Sequence, residues 1–149
     1  MKKYNYEDIM NFISESNILQ RLFEECNDSL KILFTTLIAD TLPYSANEPG
    51  KSGLYAKEME KTSFRLSKNY QGRGRKIQNY CMYTLRPTSE KIIVDLRTDG
   101  VLINSEVLHL DNRGNCFNGG CEWHQFEVKK MAEIYEAVRL IKYIYQNAS

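Results

Sequence analysis

Residues 79–97 read NYCMYTLRPTSEKIIVDLR, and this stretch decides the fold class. Asn79–Leu85 and Ile92–Arg97 are rich in the residue types that favour β-strands. The segment between them, Arg86–Glu90, has the composition of a turn, and an Asp-Gly pair at residues 99–100 closes the second strand. Strand, turn and strand in this order predict an antiparallel β-hairpin.

The sequence C-terminal to this hairpin continues the sheet and then becomes helical. Val101–Leu110 offers one or two further short strands, and His124–Val128 is predicted to be the last strand. An Asn-Gly pair at residues 118–119 is a hairpin-type turn signal between them. A closing helix is predicted from Lys129 or Lys130 to Asn147. Its apolar residues recur at spacings of three and four: Met131, Ile134, Val138, Ile141 and Tyr145.

The first 40 residues are predicted to be helical. Asn5 can cap a first helix, Ser16 or Asn17 can cap a second, and Asn27 and Asp28 can restart it. Apolar residues with a period near 3.6 follow each of these points. Whether residues 16–42 form one bent helix or two stays open, and Pro43 ends the helical region.

Between the helical region and the central hairpin, the sequence predicts loops and two short strands. Residues 43–53 have the proline, glycine and serine content of a loop. Leu54–Met59 and Thr62–Ser67 are candidate strands, and Asn69–Arg75 is predicted to be a mobile turn. Helices, an antiparallel meander and a closing helix together predict one α+β domain over residues 1–149, with the helices packed on one face of the sheet.

Composition narrows the class of protein further. Apolar residues make up 42% of the 149 residues and charged residues 26%, which is typical of a globular domain. No apolar run reaches the roughly 20 residues that span a bilayer, and no signal peptide is visible. We therefore expect a cytoplasmic protein without a membrane segment. Its cysteines are then expected to be thiols: Cys26, Cys81, Cys116 and Cys121.

Charge is concentrated in one segment of the chain. Residues 61–86 contain seven basic residues and no acidic one, which leaves 13 of the 20 basic residues and all 19 acidic residues for the remainder. Arginine and lysine attract phosphate, so this segment predicts a nucleic-acid-binding surface. Tyr70, Tyr80 and Tyr83 could stack on unpaired bases or belong to the core. The candidate binding residues are Lys61, Arg65, Lys68, Arg73, Arg75, Lys76 and Arg86.

Two further sets of residues carry weaker signals. His109, Cys116, Cys121 and His124 are of the types that bind zinc, but their spacing is poor for a zinc site and we expect no metal. Asp111, followed by Glu127 and Lys129 in a Glu-x-Lys arrangement, resembles the Mg²⁺ site of metal-dependent nucleases. Those nucleases normally add a strand after the helix, and the pattern predicts no strand after the closing helix here.

The C-terminal third resembles a family of small domains described as predicted transport proteins. Trp123–Val128 and the helix that follows carry the resemblance, and Ile92–Leu96 fits it as well. The resemblance implies a small sheet capped by helices and a link to nucleic-acid or defence systems. It implies no catalytic residue.

These patterns favour a non-enzymatic binding domain that engages an anionic partner, nucleic acid above all, through residues 61–86. One alternative is a protein-interaction module such as a small regulator or inhibitor. The other is a Mg²⁺-dependent nuclease that uses Asp111, Glu127 and Lys129. No cofactor is expected, and the sequence does not decide the oligomeric state.

Overall fold

The central hairpin is part of a five-stranded antiparallel sheet. A computed structural model describes residues 4–46, 63–71 and 77–149 of the chain. The sheet has the order β1-β2-β3-β5-β4. Its strands are β1 (Ser63–Asn69), β2 (Ile77–Arg86), β3 (Lys91–Arg97), β4 (Asp111–Gly114) and β5 (Trp123–Val128). The predicted hairpin of residues 79–97 is confirmed as β2 and β3, joined by a turn at residues 87–90.

In these described ranges, four α-helices accompany the sheet: α1 (Tyr6–Ser14), α2 (Asn17–Glu24), α3 (Asp28–Thr41) and α4 (Ile134–Asn147). The predicted N-cap Asn5 is confirmed, and of the candidates at the next two helix starts Ser16 and Asn27 are the caps. The side chains of Asn5, Ser16 and Asn27 accept hydrogen bonds from the backbone N–H groups at the starts of α1, α2 and α3. Residues 16–42 therefore form two helices. A 3₁₀ turn that contains Pro43 follows α3, and another, Met131–Glu133, precedes α4.

The helices pack on one face of the sheet, as expected for this α+β arrangement. Alternate strand residues enter the core on that face, because successive side chains of a strand point to opposite sides. Phe34 on α3 meets Phe64 on β1, and Tyr83 on β2 stacks on Phe64. The other strand residues in this core are Leu66, Tyr80, Cys81, Leu85, Ile92, Val94, Leu96, Phe126 and Val128.

The opposite face of the sheet, called here the open face, carries the remaining alternate residues. Strand pairing places Arg65 beside Met82, Met82 beside Asp95, Asp95 beside Gln125, and Gln125 beside Asp111. One row of side chains therefore crosses all five strands on this face.

One of the predicted strand segments does not appear in the sheet. Val101–Leu110 is wrong as a strand, because the chain there is irregular and β4 begins only at Asp111. Side-chain contacts hold this segment against α4: Ser105 Oγ donates to Glu136 Oε2 at 2.5 Å, and Arg139 Nη2 donates to the carbonyl of Asn104 at 3.0 Å. The candidate strand Leu54–Met59 lies outside the described residues.

No described helix could cross a membrane. The longest, α3 and α4, have 14 residues each, which is too short for a bilayer.

Candidate nucleic-acid interface

Three of the seven predicted binding residues lie in the described part of the chain, and all three belong to the β1–β2 hairpin. Arg65 and Lys68 lie on β1, and Arg86 is the last residue of β2. The other four, Lys61, Arg73, Arg75 and Lys76, lie outside the described residues.

Arg65 and Arg86 lie on the open face of the sheet. Arg65 pairs with Met82, and Arg86 is four residues further along the same strand, so the three side chains share one side. Arg86 is exposed and stands across from Lys91 on β3. Arg65 is half-buried, and its Nε donates to Ser63 Oγ at 2.9 Å. Strands β1, β2 and β3 thus bring two arginines and a lysine to one surface.

Lys68 lies on the helix-covered face. It is three residues from Arg65, and an odd offset in a strand reverses the direction of the side chain. Its Nζ donates to the carbonyl of Tyr145 in the last turn of α4 at 2.6 Å, and it lies 5.3 Å from the Tyr145 ring centroid. Burial lowers the pKa of this amine. Lys68 therefore fastens β1 to α4.

The three tyrosines of the basic segment are core residues. Tyr70, Tyr80 and Tyr83 are fully buried. The Tyr83 hydroxyl lies 2.6 Å from Thr41 Oγ1, and the Tyr80 hydroxyl donates to the carbonyl of Tyr44. Burial raises the pKa of all three hydroxyls. Of the two possibilities left open by the sequence, stacking on bases and packing in the core, the structure shows the second.

Arg97 is a basic residue of the sheet that is not available to a ligand. Only 3% of it is exposed. Its Nε donates to Asp99 Oδ2 at 2.6 Å, its Nη1 donates to Gln78 Oε1 at 2.8 Å, and its guanidinium carbon lies 3.9 Å from the Tyr70 ring centroid. Hydrogen bonds and cation–π stacking therefore fix this arginine as a structural link between β2, β3 and the end of β1.

Lys91 is a residue of this surface that the sequence analysis missed. It lies outside the basic segment of residues 61–86, and the register of the hairpin alone places it opposite Arg86. Its Nζ is 2.6 Å from Glu127 Oε2 on β5. The predicted turn at residues 86–90 would have set Leu85 across from Lys91. The observed turn at residues 87–90 is one residue shorter, and it sets Arg86 across from Lys91.

The four candidate zinc ligands do not meet. Among the residues that the structure describes, no group of three or more histidine, cysteine, aspartate or glutamate side chains is placed to hold a metal ion. His124 Nδ1 instead lies 2.9 Å from Thr98 Oγ1, which donates to Glu122 Oε1 at 2.6 Å. That bond and one from the N–H of Gly100 lower the pKa of Glu122. This cluster joins the end of β3 to the start of β5.

The candidate nuclease residues do come close together. Asp111, Glu127 and Lys129 all line one cavity of about 400 Å³ at the outer edge of β5. Glu127 is engaged by two ammonium groups, Lys91 at 2.6 Å and Lys129 at 3.4 Å, and its pKa is lowered chiefly by the hydrogen bond from Lys91. A carboxylate held in this way has less capacity to ligate Mg²⁺ than a free one, because the metal must displace an ammonium group.

Known families, curated proteins and solved structures offer no match to this chain. No family model matches it, no curated protein matches its sequence, and no solved structure matches its fold. The resemblance noted in the C-terminal third stays a prediction.

Proposed function

We propose that this domain binds a polyanion, nucleic acid in particular, through the open face of the β1–β2 hairpin. The observation that carries the proposal is the placement of Arg65 and Arg86 on this face. The sequence surrounding them, from residue 61 to residue 86, has no acidic side chain. A phosphate chain crossing the hairpin therefore meets positive charge without a competing carboxylate from β1 or β2.

Arginine suits this task because its guanidinium group can donate two parallel hydrogen bonds to a phosphate. Arg86 is exposed and begins the turn, so it can reach a ligand without rearrangement of the strand. Arg65 is oriented by its bond to Ser63, which reduces the side-chain freedom lost on binding. Lys61, Arg73, Arg75 and Lys76 enter the proposal as further phosphate contacts from the same segment.

The proposed recognition is by charge and not by base stacking. The tyrosines of the hairpin are buried, so none of them presents a ring to a base. Binding through phosphates alone depends weakly on sequence and steeply on salt, because each neutralised phosphate releases counterions. We expect duplex and single-stranded nucleic acids both to bind, with affinity that falls as ionic strength rises.

The test is fluorescence anisotropy with labelled single- and double-stranded DNA and RNA at low and high salt. The double variant Arg65→Gln/Arg86→Gln should weaken binding and reduce the salt slope by about 2, one unit for each phosphate that is no longer neutralised. Arg21→Gln is the matched control, since Arg21 is an exposed arginine on α2. No binding at low salt, or equal binding by the double variant and the control, contradicts the proposal.

The same mixtures test the nuclease alternative when Mg²⁺ is added. Cleavage that requires Mg²⁺ and disappears in Glu127→Gln would revive it. Binding without cleavage leaves the domain as a binding module.

A further inference from the structure

Three cationic residues stand side by side at one end of the sheet, on three neighbouring strands. Arg86, the last residue of β2, pairs with Lys91, the first residue of β3. Ile92, the next residue of β3, pairs with Val128 at the end of β5. Lys129 directly follows β5, so it lies level with Lys91. These three residues are called here the cationic row.

The side chains of the row belong to the open face. Lys91 is four residues from Asp95 on β3, and an even offset in a strand keeps the direction of the side chain. Lys129 reaches the same side, because its Nζ lies 3.4 Å from Oε1 of Glu127, which is two residues from Gln125 on β5. Neighbouring strands are about 4.8 Å apart, so the row spans about 10 Å. One strand of a duplex carries a phosphate charge per about 3.4 Å of axis, so about two or three phosphates fall within this length.

Glu127 lies between two members of the row and neutralises them. Its Oε2 accepts a hydrogen bond from Lys91 Nζ at 2.6 Å, while its Oε1 faces the Lys129 ammonium group. The hydrogen bond from Lys91 is the main cause of the lowered pKa of Glu127, so the carboxylate is ionised at neutral pH. In the unbound protein, one negative charge therefore occupies two of the three cations.

A ligand with several phosphates can replace Glu127. The side chain of Glu127 is 37% exposed and that of Lys129 is 60% exposed. Ion pairs at such positions are weak, because water screens them and because holding two side chains together costs entropy. A nucleic-acid strand can contact Arg86 and both lysines at once, whereas Glu127 contacts only the lysines.

Three other carboxylates near the row have partners of their own. Asp111 Oδ2 lies 3.5 Å from Arg113 Nη1. Glu133 Oε1 accepts hydrogen bonds from the two backbone N–H groups that directly follow β5, at 2.7 and 3.2 Å. Glu90 accepts a hydrogen bond from Asn27 Nδ2 at the start of α3, at 2.7 Å. Glu127 is therefore the carboxylate whose charge is directed at the row.

We propose that the cationic row Arg86, Lys91 and Lys129 binds successive phosphates of a nucleic-acid strand, and that Glu127 is an internal competitor which this strand displaces. The inference rests on the proposed function. It extends the binding surface from the β1–β2 hairpin across β3 to the end of β5, and it names the group that limits affinity. On binding, the phosphates take over the two ammonium groups and the Glu127 carboxylate turns to solvent.

The test is fluorescence anisotropy of the full chain with a labelled DNA duplex at low and high salt. At low salt, Glu127→Gln should bind about threefold to tenfold more tightly than the wild-type chain, because no internal charge has to be displaced. Its salt slope should increase by about 1, since the row gains one unit of uncompensated positive charge. Glu24→Gln is the matched control, because it removes one exposed carboxylate from the end of α2 among the helices.

A second set of variants separates contact with the lysines from simple loss of repulsion. In the Glu127→Gln background, Lys91→Gln and Lys129→Gln should each weaken binding about threefold or more and lower the salt slope by about 1. Lys142→Gln in the same background is the control, since Lys142 is an exposed lysine on α4. If Glu127→Gln acts only by removing repulsion, the two row variants will match this control.

The possible outcomes separate this inference from the proposed function. The inference alone is overturned if the wild-type chain binds but Glu127→Gln binds no more tightly than Glu24→Gln, or if either row variant behaves like Lys142→Gln. In that case, weaker binding by Arg65→Gln/Arg86→Gln still supports the proposed function. No binding at low salt by the wild-type chain or by Glu127→Gln overturns both. Unfolding midpoints show that each variant is folded before binding is measured.

Discussion

Replacing Lys68 with methionine should weaken the fold and leave polyanion binding unchanged. The substitution keeps most of the aliphatic stem but removes the ammonium group, which donates to the Tyr145 carbonyl at 2.6 Å. A hydrogen bond from a charged donor contributes about 1.5–3 kcal/mol, and a cation at a helix C-terminus adds about 0.3–1 kcal/mol. Burial of the amine opposes these gains, as its lowered pKa shows. A net loss of about 1–2 kcal/mol in the free energy of unfolding follows.

For a chain of 149 residues, that loss corresponds to a fall in Tm of about 2–8 °C. Thermal and urea unfolding at pH 7 measure it. The matched substitution is Arg86→Met on the same hairpin. Arg86 is exposed, so its replacement should change stability by less than about 0.5 kcal/mol. The two variants should differ in the opposite way in polyanion binding. Arg86→Met should bind more weakly than the wild-type chain, and Lys68→Met should bind as tightly.

Two results would refute this reasoning. If Lys68→Met unfolds at the same temperature as the wild-type chain, the contact between β1 and α4 contributes nothing to stability. If Lys68→Met loses as much binding as Arg86→Met while remaining folded, Lys68 contacts the ligand, and the division of the hairpin into two faces does not govern function.

Three further predictions concern buried groups. Tyr83→Phe should lower the free energy of unfolding by about 0.5–1.5 kcal/mol, because the Thr41 hydroxyl loses the hydrogen-bond partner that lies 2.6 Å away. A lower urea midpoint with an unchanged m value measures this loss. Iodoacetamide at pH 8 should label the exposed Cys116 of the native protein and spare Cys26, because burial raises the pKa of the Cys26 thiol to about 11. Mass spectrometry identifies the labelled residues, and rapid labelling of Cys26 would contradict its burial. Burial raises the pKa of Asp95, so the ionised carboxylate costs stability in the folded state, and Asp95→Asn should be at least as stable as the wild-type chain at pH 7. Its advantage should shrink as the pH falls towards about 4, because the wild-type side chain then takes up its proton preferentially in the folded state, and urea unfolding at several pH values checks this.

Local signals predicted much of the fold. N-cap side chains such as Asn5 and Ser16 act within one helical turn, so residue type and the apolar period located the helix starts to within one residue. They did not decide whether residues 16–42 form one helix or two. The β2–β3 hairpin is equally local, since its turn and both strands lie within about 20 residues. The prediction that Val101–Leu110 contains strands was wrong because the contacts that shape this segment are not local. Side chains of α4, about 30 residues later in the chain, hold it in an irregular path.

The candidate functional site was also predictable only where the signals are local. Strand alternation puts Arg65 and Lys68 on opposite faces. The predicted strand ended at Ser67, so this rule reaches Lys68 only because β1 continues to Asn69. The burial of Tyr70, which follows β1, could not be read from the strand pattern, because its ring packs under Arg97 from another strand. The cavity that Asp111 and Glu127 share depends on the register between β4 and β5, and no sequence signal specified that register.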